Sequence, residues 1–389
     1  MSIVTTPKEI LLMIFGQLKV SDLVRLSETC HHLKEVARDP LLWKKLTLSY
    51  EKIKNKNEAC RNHVSRCSSL REIFITGEET VIRSDKIMAV VMKAKTTLTS
   101  INLSPRFAGL SNSSIERIGE MTQLTHLSVG GGKLKQGGIV ALACLTELRS
   151  LKVPGIVSGN FVVRGNDDPP TTAMTVFVDL FSTLKKLEEV EIQMNGNYPS
   201  DLVVKSLVNN NPNLHHLDIS ILGWDYLHNP IDELSDRSIF LLAEKCPQLT
   251  YIGIGNLNMF SRTSITTLVA NCPRLKHANF EETTVDDTVL DIMSKKCPDL
   301  EYLKISRGRI TQDGLERFVY PAHSANLKCL DISIGWEFPM NFSPQFMERL
   351  KNDLPNLKIV NEEDEDDLDD FSSDSDESPY ENYYDDYYN

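Results

Sequence analysis

The chain has 389 residues, of which 41% are hydrophobic and 25% are charged, a composition typical of a globular protein with a sizeable core. No apolar run reaches the ~18 to 20 residues that a membrane span needs, and the first residues lack a secretory pattern, so we expect no membrane association and a cytoplasmic or nuclear location. The net charge of -12 arises in residues 362–389, which hold 14 of the 54 acidic residues and no basic one; the remaining 40 acidic residues meet 42 basic ones, which gives no general case for nucleic-acid binding.

Residues 1–50 predict a small all-α module of three or four short helices. The apolar residues of the first helix recur at a spacing that places them on one face: Ile10, Leu11, Ile14, Phe15 and Leu18. A second helix starts near Ser21, a third spans about 30–37, and a last turn carries Trp43 and Leu46. Because helices this short bury little surface, we expect the module to lean on a partner or on the segment that follows it.

From residue 51 to about residue 360 the sequence repeats itself. The pattern L-x-x-[LIVA]-x-[LIVF] opens ten times at intervals of 24 to 39 residues, and a truncated copy follows, with first residues Leu70, Leu98, Leu124, Leu148, Leu187, Leu214, Leu249, Leu275, Leu300, Leu327 and Leu357. Ten matches at a near-constant period indicate a repeat architecture of about ten to eleven units.

Each repeat combines a short strand with a helix. The alternating apolar residues of the pattern predict a strand with one apolar face, and stretches such as 236–247 place apolar residues at helical spacing ahead of it. A unit of ~25 residues cannot bury both surfaces alone, but stacked copies can. We therefore predict an α/β solenoid with parallel strands inside and helices outside, carrying surface inserts near 155–172 and 223–235.

Three of the eight cysteines follow the repeat. Cys246, Cys272 and Cys297 lie 26 and 25 residues apart, and each precedes a proline. A spacing set by the repeat, in a chain without a secretory pattern, favours buried free thiols over disulfides. We expect the three side chains to pack at helix ends; a redox or metal role is the alternative.

Residues 361–389 form an acidic segment of Asp, Glu, Ser and Tyr with almost no aliphatic residue. Charge repulsion and the lack of core residues predict a disordered tail. Ser373, with Asp376 three residues on, suits an acid-directed kinase, whose phosphate would deepen the charge. The alternative is a tail that only aids solubility.

Two resemblances together cover about residues 5–360. The segment from Pro7-Lys-Glu-Ile-Leu to Asp39-Pro-Leu-Leu-Trp43 resembles the F-box, although Thr6 stands where that family usually has leucine. The repeats containing Cys246-Pro-Gln-Leu249, Cys272-Pro-Arg-Leu275 and Cys297-Pro-Asp-Leu300 resemble the cysteine-containing leucine-rich repeats of the F-box/LRR-repeat protein family. The resemblance implies a leucine-rich-repeat horseshoe behind a small F-box module.

The same resemblance implies a function. It is that of a non-catalytic, substrate-recognition subunit of an SCF-type cullin–RING ubiquitin ligase. The F-box would dock on the Skp-type adaptor, which joins it to the cullin and RING subunits, and the repeats would hold an unknown protein to be ubiquitinated. A leucine-rich-repeat scaffold acting independently of ubiquitination is the alternative.

We find no motif for a catalytic or cofactor site. The sequence has no P-loop, no G-x-G-x-x-G after a strand and no G-x-S-x-G. The Gly130-Gly-Gly132 run is typical of a turn. Cys60, His63 and Cys67 have metal-like spacing but no recognisable fourth ligand, and the acidic tail lacks the spacing of a calcium loop. We expect no enzyme activity, cofactor or metal.

The apolar face of the first helix is the candidate adaptor site. We expect contacts from this face and from the start of the second helix, through Pro7, Ile10, Leu11, Ile14, Phe15, Leu18 and Leu23. The alternative is that the apolar side chains only close the core of the module.

The candidate substrate face follows from the third residue of the repeat pattern, which points away from the core. In the later repeats this residue is His216, Tyr251, His277 or Tyr302, and adjacent strands would set the four rings in a ladder about 15 Å long. Such rings favour interface hot spots, and Trp224 and Trp336 would rim the same region. The alternative is that the rings merely stack on one another.

Overall fold

The computed structural model describes residues 6–18, 20–49, 69–76, 88–89, 91–103, 110–129, 136–157, 172–195, 200–221, 234–306, 308–320, 326–333 and 342–360. The predicted inserts lie largely outside these residues, and the 60–67 segment, residues 130–132 and the acidic tail lie wholly outside them. Within the described part of the chain, no helix is long and apolar enough to cross a lipid bilayer.

The first compact unit, Met1–Leu148, begins with the helical module. Its elements are α1 (Lys8–Phe15), α2 (Val20–Ser27), α3 (His31–Ala37) and a 3-10 turn (Pro40–Trp43). The buried Trp43 indole donates to the Ala37 carbonyl at 2.8 Å, which fixes the turn to the end of α3. Asp39 caps the turn by accepting from the Leu41 amide at 3.1 Å and also pairs with Lys8 at 2.7 Å, so the turn is held to the start of α1 as well.

The same unit continues with a parallel sheet. Its strands, in chain order, are β1 (Lys45–Ser49), β2 (Glu72–Thr76), β3 (Ser100–Leu103) and β4 (His126–Val129), accompanied by a 3-10 turn (Met92–Ala94) and the helices α4 (Asn112–Gly119) and α5 (Gln136–Leu142). The prediction that Leu46 belongs to the last helical turn was wrong. Leu46 and Leu48 are buried on β1, and Leu46 lies in register with Ile73 of β2.

The sequence places a domain boundary near residue 50, but the first compact unit continues to Leu148. The pairing of β1 with β2 joins the two sides of that predicted boundary. The module runs directly into a strand whose backbone is hydrogen-bonded to the first repeat. The expectation that so small a module leans on the following segment agrees with this pairing.

The second compact unit, Arg149–Asn389, holds the later repeats. Its parallel strands pair in chain order: β5 (Ser150–Val157), β6 (Glu189–Asn195), β7 (His216–Asp218), β8 (Tyr251–Gly253), β9 (His277–Asn279), β10 (Tyr302–Lys304), β11 (Cys329–Asp331) and β12 (Lys358–Val360). Its helices are α6 (Thr172–Thr183), α7 (Asp201–Asn210), α8 (Asp236–Lys245), α9 (Arg262–Asn271), α10 (Asp287–Lys296), α11 (Gln312–Val319) and α12 (Pro344–Asp353).

The register repeats from strand to strand. The middle residues of β7, β8, β9 and β10 face one another as Leu217, Ile252, Ala278 and Leu303, and all four are buried. The opening leucine of each repeat from Leu70 to Leu327 is buried as well. The predicted fold class, an α/β leucine-rich-repeat solenoid with a small N-terminal all-α module, is confirmed.

The helices of the second unit are linked through their first turns. The Asp201 carboxylate, at the start of α7, accepts from the amide and hydroxyl of Ser235, the residue that caps α8, at 2.9 and 2.6 Å. In the same way Asp236 of α8 accepts from the Ser261 amide at 2.8 Å. One side chain thus satisfies exposed donors at the start of the next helix.

The charges of the link are reversed at α9, because the first residue of this helix is the cationic Arg262 instead of an aspartate. There the following cap is Asp286 rather than serine or threonine, and the two side chains pair at 2.8 Å. The original arrangement returns in the next repeat, where Asp287 accepts from the amide and hydroxyl of Thr311 at 2.9 and 2.6 Å. Gly314 makes this last link sterically feasible, because a Cβ at this residue would overlap the Asp287 carboxylate.

Cys246, Cys272 and Cys297 follow the ends of α8, α9 and α10 and are buried. The Cys272 thiol lies 3.6 Å from the Cys246 carbonyl, and the Cys297 thiol lies 3.5 Å from the Val269 carbonyl. Burial raises the pKa of Cys246 to about 11 and the pKa values of Cys272 and Cys297 to about 12. The three thiols are therefore packed, protonated groups at physiological pH, as predicted.

We expect Gly314→Ala to lower the free energy of unfolding by about 1 to 3 kcal/mol, because the added methyl group overpacks the Asp287 link. The matched control is Gly137→Ala, also within a helix, where the added Cβ would meet only the end of the flexible Glu116 side chain, at 3.3 Å. Because alanine favours helix, the control should be neutral or slightly stabilising. Equal effects in urea denaturation would contradict the assignment.

We expect a bulky thiol reagent at pH 8 to label Cys30 and Cys144, which are exposed, and to spare Cys246, Cys272 and Cys297 until the protein unfolds. Peptide mapping by mass spectrometry, before and after denaturation, distinguishes the two groups. Rapid labelling of the three buried thiols in the native protein would show that they are accessible and would contradict a packing role.

Candidate functional site

An exposed apolar surface lies on the helical module. Ile10, Met13 and Ile14 follow the i, i+3, i+4 spacing that sets side chains on one face of α1, and Leu41 lies in the adjacent 3-10 turn. These four side chains are between 46% and 72% exposed. The surface is unusual because α1 already buries Leu11 and Phe15 on its other side. Apolar exposure of this kind marks interaction sites.

The structure separates the residues expected at the adaptor site. Ile10, Ile14 and Pro7 are exposed and Leu18 is half-buried, whereas Leu11, Phe15 and Leu23 lie in the core of the module. Leu11, Phe15 and Leu23 therefore close the core of the module, which was the alternative. Only the exposed side chains are available for direct contact with an adaptor. Met13 and Leu41 were missed, although Met13 lies three residues after Ile10 on the same helix.

The four rings of the candidate substrate face form a continuous stack across β7 to β10. Successive ring centroids lie 4.0 Å apart for His216 and Tyr251, 6.0 Å for Tyr251 and His277, and 6.1 Å for His277 and Tyr302. All four rings are half-buried. We call this stack the ring ladder. Trp224 and Trp336 lie outside the described residues.

A buried carboxylate lies at one end of the ring ladder. Glu191 of β6 is only 3% exposed, and its Oε1 lies 2.8 Å from Lys152 Nζ and 2.9 Å from His216 Nε2. Burial alone would raise the pKa of Glu191, but contact with His216 and the charge of Lys152 outweigh it and lower the pKa to about 2. The carboxylate is therefore ionised, and it lies against the first ring of the ladder.

A second buried carboxylate, Asp218, lies beside the ladder, two residues after His216 on β7. It is 0% exposed, and it accepts from the Ser220 amide at 2.8 Å and from the Tyr251 hydroxyl at 3.1 Å. Gly253 leaves the space that the Asp218 side chain occupies, because a Cβ there would overlap the carboxylate. Tyr251 is thus fixed both by stacking and by a charge-assisted hydrogen bond. Sequence analysis placed Tyr251 on the candidate substrate face but could not show that it meets Asp218.

A lysine lies at the other end of the ring ladder. Lys304 Nζ lies 3.0 Å from Glu281 and 3.6 Å from Asp331, two carboxylates that are largely buried. Within the described residues, no group of three or more His, Cys, Asp or Glu side chains could hold a metal ion. Fixed aromatic rings beside buried charges are suited to binding another molecule.

We expect Glu191→Gln to remove a stability contribution that is present above pH 4.5 and is lost as the pH falls toward 2, because the pKa of the folded state lies below the ordinary value. A shift of this size corresponds to a contribution on the order of 3 kcal/mol. Denaturant titrations at a series of pH values should therefore show a flatter acid limb for the variant. The control is Glu189→Gln, which changes another carboxylate of β6; Glu189 accepts from the Ser150 hydroxyl of β5 at 2.8 Å. This variant should retain the acid limb of the unchanged protein. Identical limbs for the two variants would contradict this role.

Comparison with known proteins identifies the module. Residues 7–49 match the family model described as F-box-like. No curated protein sequence matches the chain significantly.

Solved structures resemble the fold. Yeast Rad7, solved in a complex with Elc1, is 14% identical, with a TM-score of 0.58 over 91% of this chain and 92% of Rad7. An internalin from Listeria monocytogenes, InlF, is 20% identical, with a TM-score of 0.38 over 70% of this chain and 65% of its own. The TM-score of InlF is below 0.5, so its likeness carries no weight, whereas the likeness to Rad7 bears on the fold. The chain thus carries an F-box-like domain followed by a leucine-rich-repeat solenoid, the domain combination of F-box/LRR-repeat proteins.

Proposed function

We propose that the protein is the substrate-recognition subunit of an SCF-type cullin–RING ubiquitin ligase. The F-box-like module docks on the Skp-type adaptor, which recruits the cullin and RING subunits, and the repeats hold the protein to be ubiquitinated. The subunit itself is a non-catalytic receptor, and the cytoplasm or nucleus is where it acts.

The observation that carries this proposal is the exposed apolar surface of Ile10, Met13, Ile14 and Leu41 on a module that matches the F-box-like model. Removing such side chains from water stabilises a complex by about 1.5 to 3 kcal/mol for each one fully buried. The neighbouring Lys8–Asp39 pair and the buried Trp43 hold the helix and turn in place before a partner arrives, which reduces the entropy lost on binding.

The repeat fold supports the second half of the proposal. Rad7, which shares the fold, was solved in a complex with Elc1, so a chain of this architecture assembles with a second protein. In the present chain the ring ladder supplies a contact surface on rigid strands, separate from the apolar surface of α1. We assign substrate binding to His216, Tyr251, His277 and Tyr302.

A second candidate function is a leucine-rich-repeat scaffold that acts independently of ubiquitination. It is favoured by the burial of Leu11, Phe15 and Leu23, which shows that the module closes much of its own core without a partner. The two candidates differ in one respect that can be measured, namely whether the exposed face of α1 binds the adaptor.

We expect Ile10→Asp combined with Ile14→Asp to weaken binding of the Skp-type adaptor by at least ~100-fold, since two desolvated apolar contacts are replaced by charges. The control is Leu202→Asp, which places the same charge at an apolar residue that is 65% exposed on α7. Affinities are measured by calorimetry on proteins whose thermal unfolding is unchanged. Cullin recovery in cells should fall in parallel.

Equal adaptor affinity of the unchanged protein and the double variant would overturn the proposed docking surface. Absence of adaptor and cullin from the unchanged protein, combined with retention of other partners through the repeats, would favour the scaffold.

A further inference from the structure

The charges beside the ring ladder are unbalanced. In the rows of described side chains that border the rings on β7 to β11, Asp218, Glu281 and Asp331 are negative, and only Lys304 is positive. The three carboxylates are at most 8% exposed, so water and salt screen them less than they screen surface charges. This face of the second unit therefore carries a negative potential.

Asp218 is the main source of the imbalance. Glu281 and Asp331 both lie near Lys304, whereas the Asp218 carboxylate forms no ion pair with any described residue and is held by an amide and a phenol. Asp218 is fully buried, and within the described residues no cation compensates its charge.

The ring whose hydroxyl contacts Asp218 stays neutral. The hydroxyl of Tyr251 donates to Asp218, and burial together with that carboxylate raises the pKa of Tyr251 well above its ordinary value, so the hydroxyl keeps its proton. Donation to a carboxylate polarises the phenol and enriches its ring in electrons. Because the rings of the ladder are stacked on one another, a cation on this surface is attracted by the bordering carboxylates rather than by an open ring face.

We propose that the ring ladder binds an extended segment of the recruited protein that carries arginine or lysine, with the cations attracted by the carboxylates that border the rings, Asp218 above all. The inference rests on the proposed function, because it names the chemical class of the substrate segment. Charge complementarity selects this occupant.

The spacing of the ladder fits an extended chain. Alternate side chains of a β-strand lie ~6.6 to 6.8 Å apart, close to the 6.0 and 6.1 Å between the later rings. A segment crossing the strands would therefore present every second side chain to successive rings. Residues 362–389 of the same chain, with 14 acidic residues and no basic one, have the wrong charge for this face.

The test uses the full chain and two fluorescent peptides, one of alternating serine and arginine and one of alternating serine and glutamate, with affinity read from anisotropy at low ionic strength. Asp218→Asn keeps the shape of the side chain and one acceptor oxygen, for the Ser220 amide, while its amide nitrogen faces the Tyr251 hydroxyl, which can then accept a hydrogen bond. The variant removes the charge and should weaken arginine-peptide binding about tenfold. Asn279→Asp adds a carboxylate of the same shape beside the ladder and should strengthen binding several-fold. Asp291→Asn, on the outer side of α10 where the carboxylate pairs with Lys295 at 2.6 Å, is the control and should change nothing. The acidic tail is present in every variant, so differences between them report the ladder.

Unchanged affinity in both Asp218→Asn and Asn279→Asp would overturn the inference, as would equal binding of the glutamate peptide. If Asp218→Asn fails to fold, Asn279→Asp carries the test, because its effect has the opposite sign. Adaptor affinity is measured on the same proteins and should stay constant. If the unchanged protein does not bind the adaptor, the ligase proposal alone is contradicted. If the protein binds the adaptor but the variants do not change the affinity for the arginine peptide, the proposed basic substrate segment alone is contradicted.

Discussion

A strand of three residues is not stable alone, because only its middle side chain points into the core and its backbone groups need hydrogen-bond partners from other strands. From β7 to β12 every strand of this protein has that length, and each depends on the neighbours that complete its hydrogen bonds and cover its middle residue. Leu217, Ile252 and Leu303 reach full burial only because the adjoining repeats are in register. The same register sets His216, Tyr251, His277 and Tyr302 in line, so the interaction that stabilises the sheet also assembles the candidate site.

The two candidate surfaces rest on different physics. The face of α1 offers apolar side chains that gain by leaving water, a force that charge screening does not weaken. The ring ladder lies beside buried carboxylates whose field a partner can neutralise, a force that ionic strength weakens when the partner first approaches. One chain can therefore hold one partner by apolar contact and select another by charge.

The fold could be predicted from the sequence because its main signal is periodic. The leucines at 24- to 39-residue intervals mark the strands, and the apolar spacing of 236–247 predicts α8 within about two residues. β1 escaped notice because Leu46 and Leu48 alternate without the opening leucine of the repeat pattern. The face of α1 was predicted as a whole, but periodicity cannot show which of its apolar residues turn inward; Phe15 does and Ile14 does not.

For the candidate site, the sequence could predict which residues lie in one row across the strands, but not the contacts between rows. The repeat register placed four rings in a ladder, and the structure describes that ladder. The contacts that tune it join residues of different repeats: Lys152 reaches Glu191 and Tyr251 reaches Asp218 through side-chain conformations that no pattern specifies. Gly253 illustrates the difficulty. In the sequence, a glycine at the end of a strand indicates only a low strand propensity, whereas in the structure the Asp218 carboxylate occupies the space that a side chain would need.

The reversal of sign at α9 restricts how the array can change in length. In the links from α7, α8 and α10 an acidic first residue meets a serine or threonine cap, so those units could be exchanged, but Arg262 and Asp286 fit only each other. Deleting the unit that contains α9 would bring Asp236 against Asp286, two carboxylates with no donor between them. Recombination that adds or removes repeats at this boundary must therefore keep Arg262 and Asp286 together. The two repeats that carry this pair form a unit that cannot be separated without loss of the link.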